Sequence, residues 1–207
     1  MLVDLLRDHR WLRRLLSGLS VVLVLGGVGL VGYPFATNMW QNRIQQRLET
    51  QLQDQIASPE LQQAYKERKV ETGDSLTRIK IAAIGLDTVV VEGITPSALR
   101  AGAGHYPTSS LPCETGNVAI AGHRTTYGRP FGNLDQLKPG DTIELTTPIG
   151  GCVYQVAKDP FVVSPTDLSV IDPTGERSLT LTTCHPKGSA AQRLVVRGTW
   201  VKDLKSA

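Results

Sequence analysis

The sequence predicts a mainly β domain, a closed or nearly closed barrel of eight strands with short helices, behind one transmembrane helix and a helical stalk. Three observations carry that prediction. Short runs rich in Val, Ile, Thr and Tyr, separated by turn residues, fill the chain after Leu76. An uncharged stretch lies near the N-terminus, and a Gln-rich segment with regularly spaced apolar residues joins the two. The 207 residues are 41% hydrophobic and 20% charged, a globular balance that excludes wholesale disorder. A net charge of +3 gives no support for a nucleic-acid partner.

No charged residue occurs between Arg14 and Arg43. Within that gap residues 15–35 are Leu, Val, Gly, Ser and aromatics with one proline. At helical rise they span roughly 31 Å, enough for a hydrocarbon core of about 30 Å. Arg7, Arg10, Arg13 and Arg14 precede the stretch, so the positive-inside rule places residues 1–14 in the cytoplasm and the rest outside. A cleaved secretory signal is the competing reading. Ala36 could precede a cut, but Pro34 would fill the other small-residue position.

Residues 36–75 read as an extracellular helical stalk or linker. Trp40, Ile44, Leu48, Leu52 and Ile56 recur every four residues among Gln, Arg, Glu and Asp, a helical stripe. The alternative is an amphipathic helix lying on the domain or on lipid headgroups. Ser58-Pro59-Glu60 starts a second helix, with Ser58 as N-cap and Pro59 in the first turn, running to about Lys69.

Residues 76–207 are expected to form one β domain. Strands are expected near 77–82, 87–92, 117–122, 142–147, 152–158, 161–163, 178–183 and 193–201. Thr95-Pro96 opens a short helix that ends at Gly102. Lys138-Pro139-Gly140-Asp141 is a turn, and Pro148-Ile149-Gly150-Gly151 a hairpin loop.

Three cysteines are an odd number for an extracellular domain, so at least one is unpaired within the chain. Cys184 closes a strand in which Leu179 and Leu181 alternate with Thr180 and Thr182, and His185-Pro186 stops that strand. A thiol at a strand end is placed to meet a ligand. It needs a base, and His123 ends the strand over 117–122, after Gly122. Arg193 begins the last strand and returns close to Cys184 if the two strands pair antiparallel. Its guanidinium can hold an oxyanion or a substrate carbonyl. His105 and His185 rival His123, and Arg197 rivals Arg193. No metal site is expected, Glu92 and Asp167 being scattered acidic residues.

Ala121-Gly-His-Arg124, Thr180-Leu-Thr-Thr-Cys184 and Arg193-Leu-Val-Val-Arg-Gly198 resemble the three signature segments of the sortase family, in order and in spacing. The resemblance covers about residues 76–201. It is nearest to class E, through Gly122-His-Arg-Thr-Thr-Tyr-Gly128, Pro130-Phe131 and Leu134-Asp-Gln-Leu137. It implies an eight-stranded sortase-type barrel and a membrane-anchored cysteine transpeptidase that needs no cofactor. Cys184 would be nucleophile, His123 general acid/base and Arg193 the oxyanion or substrate-positioning group. The implied partners are secreted proteins with a C-terminal sorting signal, cleaved between Thr and Gly of a Leu-Pro-any-Thr-Gly-like or Leu-Ala-any-Thr-Gly-like pentapeptide. The implied acceptor is a peptidoglycan precursor or another amine. A pilin polymerase of class C is the alternative within the family. Its lid triplet Asp-Pro-aromatic is found here only at Asp159-Pro160-Phe161, between late strands. Outside the enzyme class, the alternative is a catalytically silent peptide-binding barrel.

If Cys184 is to stay free, the one bridge available is Cys113–Cys152. Cys113 lies in a turn-rich stretch and Cys152 follows the Gly-Gly hairpin. Two unpaired thiols are the other possibility.

Overall fold

The computed structural model describes residues 10–204, apart from the side chains of Arg10 and of residues 33–38. Arg7 and His9 lie outside the described residues. The chain divides into two compact units, Met1–Trp40 and Gln41–Ala207. Helix α1 (Arg10–Ala57) contributes to both.

In the first unit Trp11–Gly32 is the apolar part of α1, with a mean hydropathy of 2.2 and no residue buried by protein. Its 22 residues rise about 33 Å, the length of a bilayer span.

The second unit is the barrel. Its strands are β1 (Ser75–Ile81), β2 (Leu86–Glu92), β3 (Ala103–His105), β4 (Asn117–Ala121), β5 (Thr142–Thr147), β6 (Gly150–Val156), β7 (Phe161–Val163), β8 (Ser178–His185) and β9 (Gln192–Leu204). Neighbours run β6-β5-β1-β2-β3-β4-β8-β9, and a β6–β9 pairing closes this ring of eight. Closure rests on the length of β9. Its first part pairs with β8 on one side and β7 on the other, and its second part reaches β6. Every expected strand is present. A ninth, β3, was not expected: Ala103-Gly104-His105 is too short and too poor in β-formers to show alternation. It takes a place in the ring, whereas β7 only flanks β9.

Alternation explains the core. Ile79 and Ile81 of β1, Ile143 and Leu145 of β5, and Leu179 and Leu181 of β8 all point inward and are fully buried. Phe131 joins them from the segment after β4. Gly122 permits this, because a Cβ there would meet the Phe131 ring at 2.6 Å.

Helix α2 (Pro59–Lys66) begins as expected, with the Ser58 hydroxyl accepting from the Leu61 N–H. It stops at Lys66 rather than about Lys69, because Arg68 takes a left-handed φ of 56°. Tyr65 anchors it on Leu76 and Leu111. Helix α3 (Pro96–Ala101) is capped by Thr95. Cys113 and Cys152 form the disulfide, with Cα atoms 5.6 Å apart, and Cys184 stays free.

Residues 41–57 of α1 lie on the barrel. Leu48 and Leu52 are buried against Val89, Val91 and Ala98. Glutamines make the rest of the contact. Gln45 accepts from the Val89 N–H (2.9 Å) and the Thr88 hydroxyl (2.8 Å), and its amide donates to Ala101 O (2.8 Å). Gln51 accepts from Ser75 N–H (3.1 Å), and Gln55 donates to Ser75 O (3.1 Å). Of the two readings of this stretch, these residues follow the one in which the helix lies on the domain.

Candidate active site

Two strands bring the predicted residues to one edge of the barrel. β4 and β8 are parallel, and their last registered pair is Ala121 with Thr182. His123 and Cys184 each lie two residues further on. The gap between them is held tightly: Gly122 N–H donates to Thr182 O (3.1 Å), and the Thr183 hydroxyl donates to Gly122 O (2.7 Å). β9 returns antiparallel to β8, with Arg193 directly opposite Cys184. Opposed residues share a face, so Arg193 stands on the side of the wall that carries Cys184, Thr182 and Thr180.

Each group is half-buried, within reach of solvent. The Arg193 Nη1 donates to Ala190 O and Gln192 O, both at 3.1 Å, which fixes the fork at the strand start. Burial, and then the positive charge of Arg100, hold the His123 imidazole below its ordinary pKa. Both effects favour the neutral imidazole.

The rivals are engaged elsewhere. His105 is buried in β3, with Nδ1 2.9 Å from Glu92 Oε2 and Nε2 2.9 Å from Ser110 O. Arg197 sits four residue pairs away from the Arg193–Cys184 pair, opposite Thr180, and donates to the Thr180 hydroxyl at 2.6 Å. His185 turns its Nδ1 to Arg124 Nη1, at 2.8 Å. Asp167 accepts from the N–H and hydroxyl of Ser169. No group of three or more His, Cys, Asp or Glu able to hold a metal occurs among the described residues.

Sequence reasoning missed Arg124. Its side chain is only 4% exposed, and it ties the region together. Nη1 donates to the Cys184 carbonyl (3.2 Å) as well as to His185, and Nη2 pairs with Asp135 (3.2 Å). One buried cation thus joins the residue after His123 to the backbone of Cys184. Its place beside His123 in a quoted segment was the available signal; its burial was not legible. Tyr127 was also missed. Its ring centroid lies 5.0 Å from that of His123, and the Arg100 guanidinium sits 5.8 Å from the Tyr127 ring.

This arrangement agrees with the comparisons with known proteins. The family description "Sortase domain" matches residues 79–201. The chain belongs to the sortase family. It is 32% identical over 148 residues to sortase SrtE1 of Streptomyces coelicolor, covering 64% of this chain and 42% of that protein. It is 34% identical over 134 residues to sortase D of Bacillus subtilis, covering 63% of this chain and 66% of that protein. The chain thus spans less than two thirds of the length of either relative. Among solved structures, a Clostridium perfringens sortase D5 transpeptidase superposes with a TM-score of 0.69 at 29% identity. That match covers 77% of this chain and 99% of the other. The SrtE1 match supports the likeness to class E.

Proposed function

We propose that this sortase is a membrane-anchored cysteine transpeptidase that cleaves a C-terminal sorting signal between Thr and Gly and passes the acyl group to a cell-wall amine. The observation that carries the proposal is the convergence of Cys184, His123 and Arg193 through the parallel β4–β8 ends and the antiparallel β8–β9 pair.

In this mechanism neutral His123 takes the Cys184 thiol proton as the sulfur attacks the Thr carbonyl carbon. The carbonyl oxygen becomes an oxyanion, held by the Arg193 guanidinium. Two carbonyls already occupy Nη1, so Nε and Nη2 are the donors that face this task. The Thr–Gly C–N bond then breaks, and the imidazolium gives its proton to the departing Gly amine. An acyl thioester remains on Cys184. An incoming amine loses a proton to His123 and attacks the thioester carbonyl, and Cys184 leaves and is reprotonated. Trp11–Gly32 anchors the enzyme, and Arg7 and Arg10 before it, with Arg13 and Arg14 in its first turn, support a cytoplasmic N-terminus with the barrel outside.

The test is cleavage of two fluorogenic sorting peptides, one with Pro and one with Ala at the second position, with a small amine as acceptor. Amine-dependent release at the Thr–Gly bond supports the proposal. No cleavage of either peptide would count against it.

A further inference from the structure

Three consecutive residues after His123 adopt left-handed backbone: Tyr127 (φ 49°), Gly128 (φ 74°) and Arg129 (φ 49°). Residues with a Cβ avoid this region, and such strain persists only where the surroundings impose it. The surroundings here are α1. A Cβ on Gly128 would meet the Gln41 Cγ at 2.8 Å, so the tight turn is wedged against that side chain. Gln41 is 5% exposed, and its amide donates to Ala101 O at 2.6 Å. Ala101 follows Arg100, and Gly128 follows Tyr127. One buried glutamine therefore touches both segments that carry the stack of Arg100, Tyr127 and His123.

We infer that Tyr127 and Arg100 are positioning residues for His123, and that Gln41 of α1 is the brace that holds both in place. The inference rests on the assignment of His123 as the acid/base. Tyr127 supplies a tilted ring, at 48° to the imidazole, that limits how the imidazole can turn. Arg100 supplies charge, with its guanidinium 5.8 Å from the centre of that ring. The charged and titratable groups at this edge include Arg100 of α3, Arg124 and Tyr127 after β4, Asp135 and Lys187 beside Arg124, Cys184 and His185 of β8, and Arg193 of β9. After burial, Arg100 is the group that pushes the His123 pKa down. The Arg124 charge is spent on Asp135 and His185. Removing Arg100 relieves repulsion of the imidazolium, so His123 titrates at higher pH. The neutral form that accepts the thiol proton is then lost at a higher pH on the acidic side.

The test uses the full chain in detergent micelles. His123 is followed by NMR with labelled histidine, the four histidines being assigned by substitution. kcat and KM are measured across pH on the sorting peptide. Arg100→Met is expected to move the His123 midpoint and the acidic limb of kcat to higher pH together, and Arg100→Lys to restore both. Tyr127→Leu and Gln41→Leu are expected to lower kcat about tenfold or more with KM within about twofold, because a misplaced acid/base slows chemistry rather than binding. Tyr127→Phe should recover most of the kcat lost in Tyr127→Leu. An unchanged His123 midpoint in Arg100→Met, or undiminished kcat in folded Tyr127→Leu, overturns the inference. Wild-type turnover by His123→Ala would instead overturn the catalytic assignment beneath it.

Discussion

The barrel wall and the docked part of α1 both bury surface, by opposite means. In β8, Leu179 and Leu181 fill the core while Thr180, Thr182 and Cys184 face outward, so one alternating pattern specifies packing and delivers the thiol. Along residues 41–57 of α1 only Leu48 and Leu52 are buried apolar residues, and glutamine amides do the docking. Their partners are backbone groups of β1, β2 and α3, such as Val89 N–H and Ser75 O, that would otherwise be buried without partners. A Gln-rich composition is thus compatible with a specific interface. On the proposed mechanism the wall governs chemistry, and the dock governs stability and the setting of the site.

The sharpest way to break that division is to mutate the wall. Cys184→Ala should abolish turnover with little change in thermal stability, and His123→Ala and Arg193→Ala should each lower kcat by about 10²–10⁴-fold. Arg193→Lys should stay poor, because a point charge does not replace a planar fork. An Arg193→Lys variant with full activity would remove the bidentate role.

Smaller effects are expected from cross-links and packing, read as stability by denaturant unfolding. Replacing Cys113 and Cys152 by Ala should cost about 3–4 kcal/mol, the loop-closure contribution of a bridge spanning 39 residues. Leu52→Ala should cost about 2–5 kcal/mol, since this dock residue is only 1% exposed. Gln45→Leu should cost about 1–3 kcal/mol, because it strands the Val89 N–H, whereas the Ala101 carbonyl keeps the Gln41 amide. A neutral Gln45→Leu would erase the distinction between a specific dock and a passive polar face. Glu49→Ala sits at the bottom of the scale, at about 0–1 kcal/mol, because its ion pair with Arg78 is partly exposed.

Much of this was legible in the sequence, for identifiable reasons. Alternation in β8, the stop at Pro186 and the short return to Arg193 together imply the register that pairs Cys184 with Arg193. Counting cysteines left Cys113–Cys152 as the one bridge that spares Cys184, with two unpaired thiols open beside it, and the structure shows the bridge. β3 escaped because three residues carry no period, and its place comes from pairing parallel to β2. The dock was left open between two readings because its binding groups are amides, which look the same in solvent and in an interface. Arg124 escaped for a related reason: an arginine beside a candidate histidine reads as surface charge. Only the fold shows it buried, bonded to Asp135 and to the Cys184 carbonyl.

The central claim is that Cys184 carries the acyl group between donor and acceptor. Intact-mass measurement of the full chain, quenched during turnover of a sorting peptide, tests it directly. The expected result is one acyl adduct per chain, mapped to Cys184 and absent in Cys184→Ala. The adduct should be lost on adding hydroxylamine or an amine acceptor. Turnover with no adduct on Cys184, or an adduct that persists in Cys184→Ala, would contradict the account.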